Sequence, residues 1–186
     1  MVFLYSSQII SELWSSRAPA SHPVYAVLDG ARDGRICDKI EHSNVDHCCL
    51  LSGRLHPELQ KAAPYLVKLP YDHQLATLFI NQGWDHHWGI FLEAATTLDA
   101  LRFHLRQFLR VKDEQGRRLF FRFYDPRVLR VYLPTCTLGE LLAFYGPITR
   151  FVMPGEDAAA LMEFAFDGRE LKVRSVPLKR EAAATG

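Results

Sequence analysis

Apolar residues along this chain recur with two different periods, and the switching between them predicts alternating strands and helices. Val24-Tyr25-Ala26-Val27-Leu28, Cys48–Leu51, Tyr65–Leu69 and Trp88-Gly89-Ile90-Phe91-Leu92 are short apolar runs bounded by turn residues, the mark of buried strands. Leu98, Leu101, Leu105, Phe108 and Leu109 instead share one face of a helix over 98–110, capped by Thr96 or Thr97. Helical spacing also covers residues 4–14, 34–42 and 73–82, with Asp72 as a cap and Gly83 as a stop for the last of these. Thr137-Leu138-Gly139-Glu140 matches a capping box for a helix that ends at Gly146-Pro147. Ile148–Met153 reads as a further strand. Ala160–Phe166 and Glu170–Val176 flank Asp167-Gly168, a hairpin signal. This order implies one layered α/β domain over residues 1–176, with a mixed sheet flanked by helices and an antiparallel C-terminal hairpin at about 160–176. Ala18–Pro23 reads as a linker and residues 177–186 as a frayed tail.

The densest segment is Phe120-Phe121-Arg122-Phe123-Tyr124-Asp125-Pro126-Arg127-Val128-Leu129. Read as a strand, it places Phe120, Arg122 and Tyr124 on one face and Phe121 and Phe123 on the other. A strand with aromatics on both faces is covered on both sides. Arg122 then needs a partner, because an unpaired buried charge is costly. Pro126 excludes the helical region for Asp125, so Asp125 is placed to cap a helix whose first residue is Pro126. Asp125 and Arg127 are therefore read as structural, not as a catalytic pair.

Composition narrows the functional classes. The 186 residues carry 48% hydrophobic and 12% aromatic residues, enough for a sizeable core, and a net charge of +1 gives no broad basic surface for nucleic acid. The cysteines, Cys37, Cys48, Cys49 and Cys136, contain no C-x-x-C, and Cys48-Cys49 sits in an apolar run, which fits a reducing compartment. No basic n-region with a long apolar stretch opens the chain, and no run approaches the roughly 20 residues of a membrane span. The expectation is a cytoplasmic protein with no membrane contact.

Candidate chemistry is sparse. His42, Asp46 and His47 lie close together and His86-His87 are adjacent, but no ligand motif is matched and no metal is expected. Asp29-Gly30 ends the first strand; it reads as a turn in which Gly supplies φ > 0 and Asp bonds its own backbone. Arg102 and Arg106, one helical turn apart, are placed to meet Asp125 or Asp29 in a carboxylate–arginine network. No phosphate loop or nucleophile elbow is present, so no cofactor is expected.

The motifs form an ordered set: Tyr25-Ala-Val-Leu-Asp29-Gly30, Ala63-Pro64-Tyr65-Leu66-Val67, Trp88-Gly89-Ile90-Phe91-Leu92, Leu101-Arg102-Phe103-His104-Leu105-Arg106, Phe121–Leu129 and Phe144-Tyr145-Gly146-Pro147-Ile148. Over roughly residues 23–153 this order resembles the type VI secretion adaptor proteins, also called type VI effector chaperones, long filed as a domain of unknown function. The resemblance implies a non-enzymatic cytoplasmic protein of Gram-negative bacteria. Such a protein helps load a toxic effector onto the VgrG spike and is not itself exported. Many members are longer, with a variable C-terminal lobe thought to choose the cargo; here that lobe is expected to be short or missing. Asp29, Gly30, Trp88, Arg102, Arg106, Arg122, Tyr124, Asp125, Pro126 and Arg127 are the expected structural or interaction residues. The C-terminal hairpin is expected either to help contact the effector or to be a plain edge of the sheet. The alternative function is a small hydrolase using Asp29, Asp125 and a histidine, possibly with a metal.

Overall fold

Three of the four apolar runs become inner strands of one sheet, where both faces are buried, and the run that begins at Cys48 forms an edge strand. The structure is a computed structural model that describes residues 6–14, 22–71, 73–113 and 115–179. The first part of the chain forms α1 (Ser6–Leu13), β1 (Val24–Asp29), α2 (Arg35–Glu41), β2 (His47–Cys49), α3 (Pro57–Lys61) and β3 (Pro64–Leu69). Then follow α4 (Gln74–Gly83), β4 (Gly89–Ala94), α5 (Leu98–Arg106) and a small hairpin, β5 (Arg110–Lys112) with β6 (Arg118–Phe120). The last part forms α6 (Pro126–Tyr132), α7 (Leu138–Tyr145), β7 (Ile148–Pro154), β8 (Ala160–Phe166) and β9 (Leu171–Pro177).

The layered α/β domain and the C-terminal hairpin are present. Seven strands form the main sheet in the order β2-β3-β1-β4-β7-β8-β9. Along β1 the side chains alternate strictly. Val24, Ala26 and Leu28 enter the core under α1, α2 and α4, while Tyr25 and Val27 enter the core under α5, α6 and α7. Ile9, Ile36, Ile40 and Phe79 close the first layer, and Leu101, Leu105, Leu129 and Phe144 the second.

Every pairing in this sheet is antiparallel, with no parallel neighbours of the kind a mixed sheet contains. The alternation of strands and helices is the reason a parallel component is expected. β3 and β4 do run in the same direction, joined by α4, but β1 lies between them and pairs antiparallel with both. The crossover therefore never brings parallel strands into contact.

The aromatic segment differs from its prediction. β6 stops at Phe120, which is 47% exposed, and pairs only with β5. Phe121–Tyr124 is a connection, not a central strand. The Asp125 N–H donates to the Arg122 carbonyl at 3.0 Å, a tight turn that delivers Asp125 to the start of α6. The rings still bury: Phe123 is fully buried, and its ring lies 5.8 Å from that of Phe144. Burial without strand pairing satisfies the same apolar demand.

Smaller differences are local. Asp72 and the linker residues 18–21 lie outside the described residues; α4 is capped instead by His73, whose Nδ1 accepts from the Leu75 N–H at 3.1 Å. The capping box of α7 forms as expected, Thr137 with Glu140. Helix α3 was not anticipated. The hairpin continues to Pro177, and Leu178 is buried, so the chain is ordered past the expected boundary at 176.

One charge cluster sits inside the sheet. Arg150 of β7 and Glu93 of β4 are 7% and 3% exposed and directly opposed in register. The Arg150 guanidinium donates to Glu93, to Glu163 Oε2 at 2.8 Å, and to the Glu12 and Leu13 carbonyls at the end of α1. Arg174 donates to Glu12 at 2.6 Å and Glu163 at 2.9 Å. These contacts pin α1 to the sheet by its negative dipole end. Replacing Arg150 by Ala strands Glu93 without a counter-charge, so a loss of about 3–5 kcal/mol is expected in urea unfolding. Burial raises the Glu163 pKa, and the bonds from Arg174 and Arg150 outweigh it to leave the pKa lowered. A depressed carboxylate stabilises the fold above its unfolded value, near 4.5, and that contribution fades as pH falls toward the folded value. Acid titration of Glu163→Gln should accordingly show a shallower loss of stability below pH 4.5 than the wild type. An identical slope in the two proteins counts against this assignment.

Candidate functional site

The end of β1 and the start of α6 meet through two buried carboxylates. Asp29 is the last residue of β1, where its N–H donates to the Trp88 carbonyl at 2.7 Å. Asp125 is the N-cap of α6, and Pro126 is its first helical residue. Asp29 and Asp125 are 1% and 3% exposed. A charge so enclosed must be paired and hydrogen-bonded.

Three arginines supply the pairing. Arg122 donates to Asp29 Oδ2, and Arg32 Nε lies 3.6 Å from the same oxygen. Arg32 Nη2 also donates to Asp125 Oδ2 at 2.7 Å, so Arg32 bridges the two carboxylates. Arg127 grips Asp125 with Nε at 3.0 Å and Nη2 at 2.7 Å, a two-point bond that Lys is unable to make. Backbone donors add to these: Ala31 N–H on Asp29 at 3.2 Å and Arg127 N–H on Asp125 at 3.0 Å. Arg122 also lies 5.9 Å from the centre of the Tyr124 ring. Burial, reinforced by Asp29, pushes the Tyr124 phenol up to about 12, so it stays protonated. His87 stands nearby, and burial lowers its pKa against the opposing pull of Asp125.

The expected network is therefore present with different arginines. Arg102 and Arg106 take no part in it. They lie on α5, which packs over β2 and β3, and their charges act instead on Cys48. Burial dominates there and pushes the Cys48 thiol up to about 11, so it stays protonated. Gly30 also has a different reason from the one its turn position implies. It is not among the glycines with positive φ; a Cβ there would stand 2.2 Å from the Lys61 carbonyl oxygen. Close backbone approach excludes every other residue. Trp88 is buried, 3% exposed, and serves the site through its backbone carbonyl.

The histidines do not converge. His42 Nδ1 contacts the Asp38 carbonyl at 2.6 Å and His47 Nδ1 the Val45 carbonyl at 2.9 Å. Among the described residues no three His, Cys, Asp or Glu side chains form a group fit for a metal ion. A groove of ≈ 470 Å³ opens at the other end of β1, lined in part by Tyr25, Asp46, His47 and Asp99. Neither Asp29 nor Asp125 reaches it.

Two contributors escaped the sequence reading. Arg32 lies in a turn, Ala31-Arg32-Asp33-Gly34, where a surface arginine carries no distinguishing signal. The Glu93–Arg150 pair did leave one: a single charge inside each of two otherwise apolar strands.

Asp125→Ala removes a cap, leaves Arg127 without its carboxylate, and leaves Arg32 with Asp29 alone, 3.6 Å away. The cap is worth about 1 kcal/mol, and the partly exposed guanidinium groups add less than a fully buried pair would. An expected total of about 2–3 kcal/mol follows, read as a lower melting temperature, with Asp125→Asn intermediate because it keeps the cap. An unchanged melting curve would remove the structural role.

The geometry describes a folded-state clamp in which each carboxylate oxygen of Asp29 and Asp125 accepts at least one hydrogen bond. No curated protein and no solved structure matches the chain. A family model does match, over residues 24–143, a span that runs from the start of β1 through both carboxylates into α7. The chain belongs to the DUF4123 family, a domain of unknown function.

Proposed function

We propose that this protein is a cytoplasmic adaptor of type VI secretion, which binds a toxic effector and helps load it onto the VgrG spike. The observation that carries the reading is the exposed apolar surface of the segment that runs from α5 through the β5–β6 hairpin to α7. Among the described residues, seven of the ten exposed large apolar side chains lie there. They are Phe103 on α5, Leu119 and Phe120 on the β5–β6 hairpin, Val128 and Val131 on α6, and Leu138 and Leu142 on α7. Phe103 and Val131 are 74% and 68% exposed. Isolated apolar side chains need no explanation, but their concentration in one segment of the chain is what a protein-binding face requires. The order of motifs, similar to that of type VI adaptors, supplies the kind of partner.

The hydrolase reading has less support. A catalytic carboxylate needs an open lone pair and access to substrate. Asp29 and Asp125 are buried among guanidinium and backbone donors, and the groove lined by Tyr25, Asp46 and His47 does not include them. On the adaptor reading the clamp is scaffold, and it holds α6 at the angle that presents Val128 and Val131.

The test is co-purification with the products of the neighbouring spike and toxin genes. Wild type is expected to capture both. Val131→Asp and Leu142→Asp, both at exposed positions, should leave the melting temperature nearly unchanged. Each should weaken capture by at least about 30-fold if it falls at a hot spot. Capture of neither product by the wild type overturns the adaptor reading. Full capture by both variants moves the binding face elsewhere.

A further inference from the structure

We infer that the β5–β6 hairpin is a docking site for an acidic segment of a partner protein, held by Arg110, Lys112 and Arg118 around Phe120. The inference deepens the adaptor reading, because this hairpin belongs to the exposed apolar segment on which that reading stands. It rests on that reading only for whose acidic segment is bound.

The register fixes which side chains share a face. Arg110 pairs with Phe120, Val111 with Leu119 and Lys112 with Arg118. Paired residues project to the same side, and the side alternates along each strand. Arg110, Lys112, Arg118 and Phe120 therefore form one face, and Val111 and Leu119 the other. The Phe121 N–H donates to the Leu109 carbonyl and the Asp113 N–H to the Arg117 carbonyl, both at 3.0 Å. The odd-numbered residues are thus the hydrogen-bonded pairs. Lys112 and Arg118 meet at a non-hydrogen-bonded position, where the backbones approach to about 4.5 Å and facing side chains are closest. Like charges directly opposed there work against the hairpin.

No described carboxylate offsets that repulsion. Asp113, in the turn, is taken by Arg117 at 2.6 Å. Arg110, Lys112 and Arg118 are exposed, and among the described residues none of them makes an ion pair or a side-chain hydrogen bond. The cations of β9 differ: Lys172 and Arg174 are both held by carboxylates of this chain. The positive bias continues into α5. From Ala100 to Lys112 the chain carries Arg102, Arg106, Arg110 and Lys112 and no carboxylate, although its net charge is only +1. A local conflict of charge that the fold leaves uncompensated is expected where binding makes use of it.

Charge and exposure together select the occupant. Partner carboxylates relieve the Lys112–Arg118 repulsion, and arginine grips a carboxylate at two points. Phe120, 47% exposed among the cations, adds an aromatic contact of the kind enriched in protein interfaces. Nucleic acid is the poorer match, because three cations on a chain of net charge +1 release few counterions. A second copy of the hairpin, face to face, would set cation against cation.

The experiment uses the full chain and a labelled synthetic peptide of Glu, Asp and Leu, read by fluorescence anisotropy. The same peptide with Gln and Asn in place of the acids is the control. The acidic peptide should bind about tenfold more tightly than the control, by an affinity that falls as salt rises. Arg118→Glu sets opposite charges across the hairpin, so its melting temperature should hold or rise. Its affinity for the acidic peptide should drop about tenfold, one exposed attraction being lost and one repulsion gained. Should that variant fail to fold, Lys112→Gln decides, with an expected drop of about threefold. Equal binding of the two peptides, or unchanged affinity in the folded variant, overturns the proposal. An oligothymidylate of equal charge that binds more tightly than the acidic peptide overturns it in favour of nucleic acid. A dimer seen in sedimentation and abolished by Arg118→Glu overturns it in favour of self-association. In co-purification Arg118→Glu should weaken capture of the spike or the toxin product. Undiminished capture of both overturns the hairpin site and leaves the adaptor reading standing. Peptide binding with neither product captured by the wild type overturns the adaptor reading and leaves the acidic-segment site standing.

Discussion

Two carboxylates withdrawn from water must each find a positive partner, and the arrangement of this protein depends on that demand. Asp29 ends the first strand and Asp125 begins α6, far apart in the chain. The bonds that satisfy them, Arg122 to Asp29 and Arg32 to Asp125, each span 93 residues. They cross reciprocally, so neither segment can shift without exposing a buried charge. The same device recurs inside the sheet, where Arg150 and Glu93 join β7 to β4 and hold the end of α1. Buried ion pairs add little net stability compared with apolar packing, but removing one partner is expensive. Their effect here is to tie distant segments into one arrangement.

The aromatic residues fill the space that the clamp encloses. Phe121, Phe123, Tyr132 and Phe151 surround Phe144, with ring centres between 5.5 and 6.4 Å from it. These edge and tilted contacts favour specific orientations. His104 completes the layer from α5, with Nε2 2.8 Å from the Phe144 carbonyl. Gly146 leaves room for that imidazole; a Cβ there would stand 2.4 Å from it. The core on this side of the sheet is therefore closed by the inward side chains of α5, α6 and α7, while Phe103, Val131 and Leu142 remain exposed.

What the sequence determined by itself is whatever a few adjacent residues settle among themselves. Asp125-Pro126 specifies a helix start, Thr137 with Glu140 specifies a capping box, and Asp167-Gly168 specifies a hairpin, because the interacting groups lie within four residues. Continuous apolar runs and helical spacing likewise located β1, β3, β4 and α5. Tertiary structure decided the rest. The insertion of β1 between β3 and β4 made the sheet antiparallel, and no local pattern records which strand lies between two others. The aromatic run became a buried connection because apolar residues carry the same signal in a strand or beneath a helix. Arg32 joined the clamp, and Arg102 and Arg106 did not, because a guanidinium pairs with whichever carboxylate the packed backbone brings within about 3 Å of it. That distance belongs to the fold, not to any spacing along the chain.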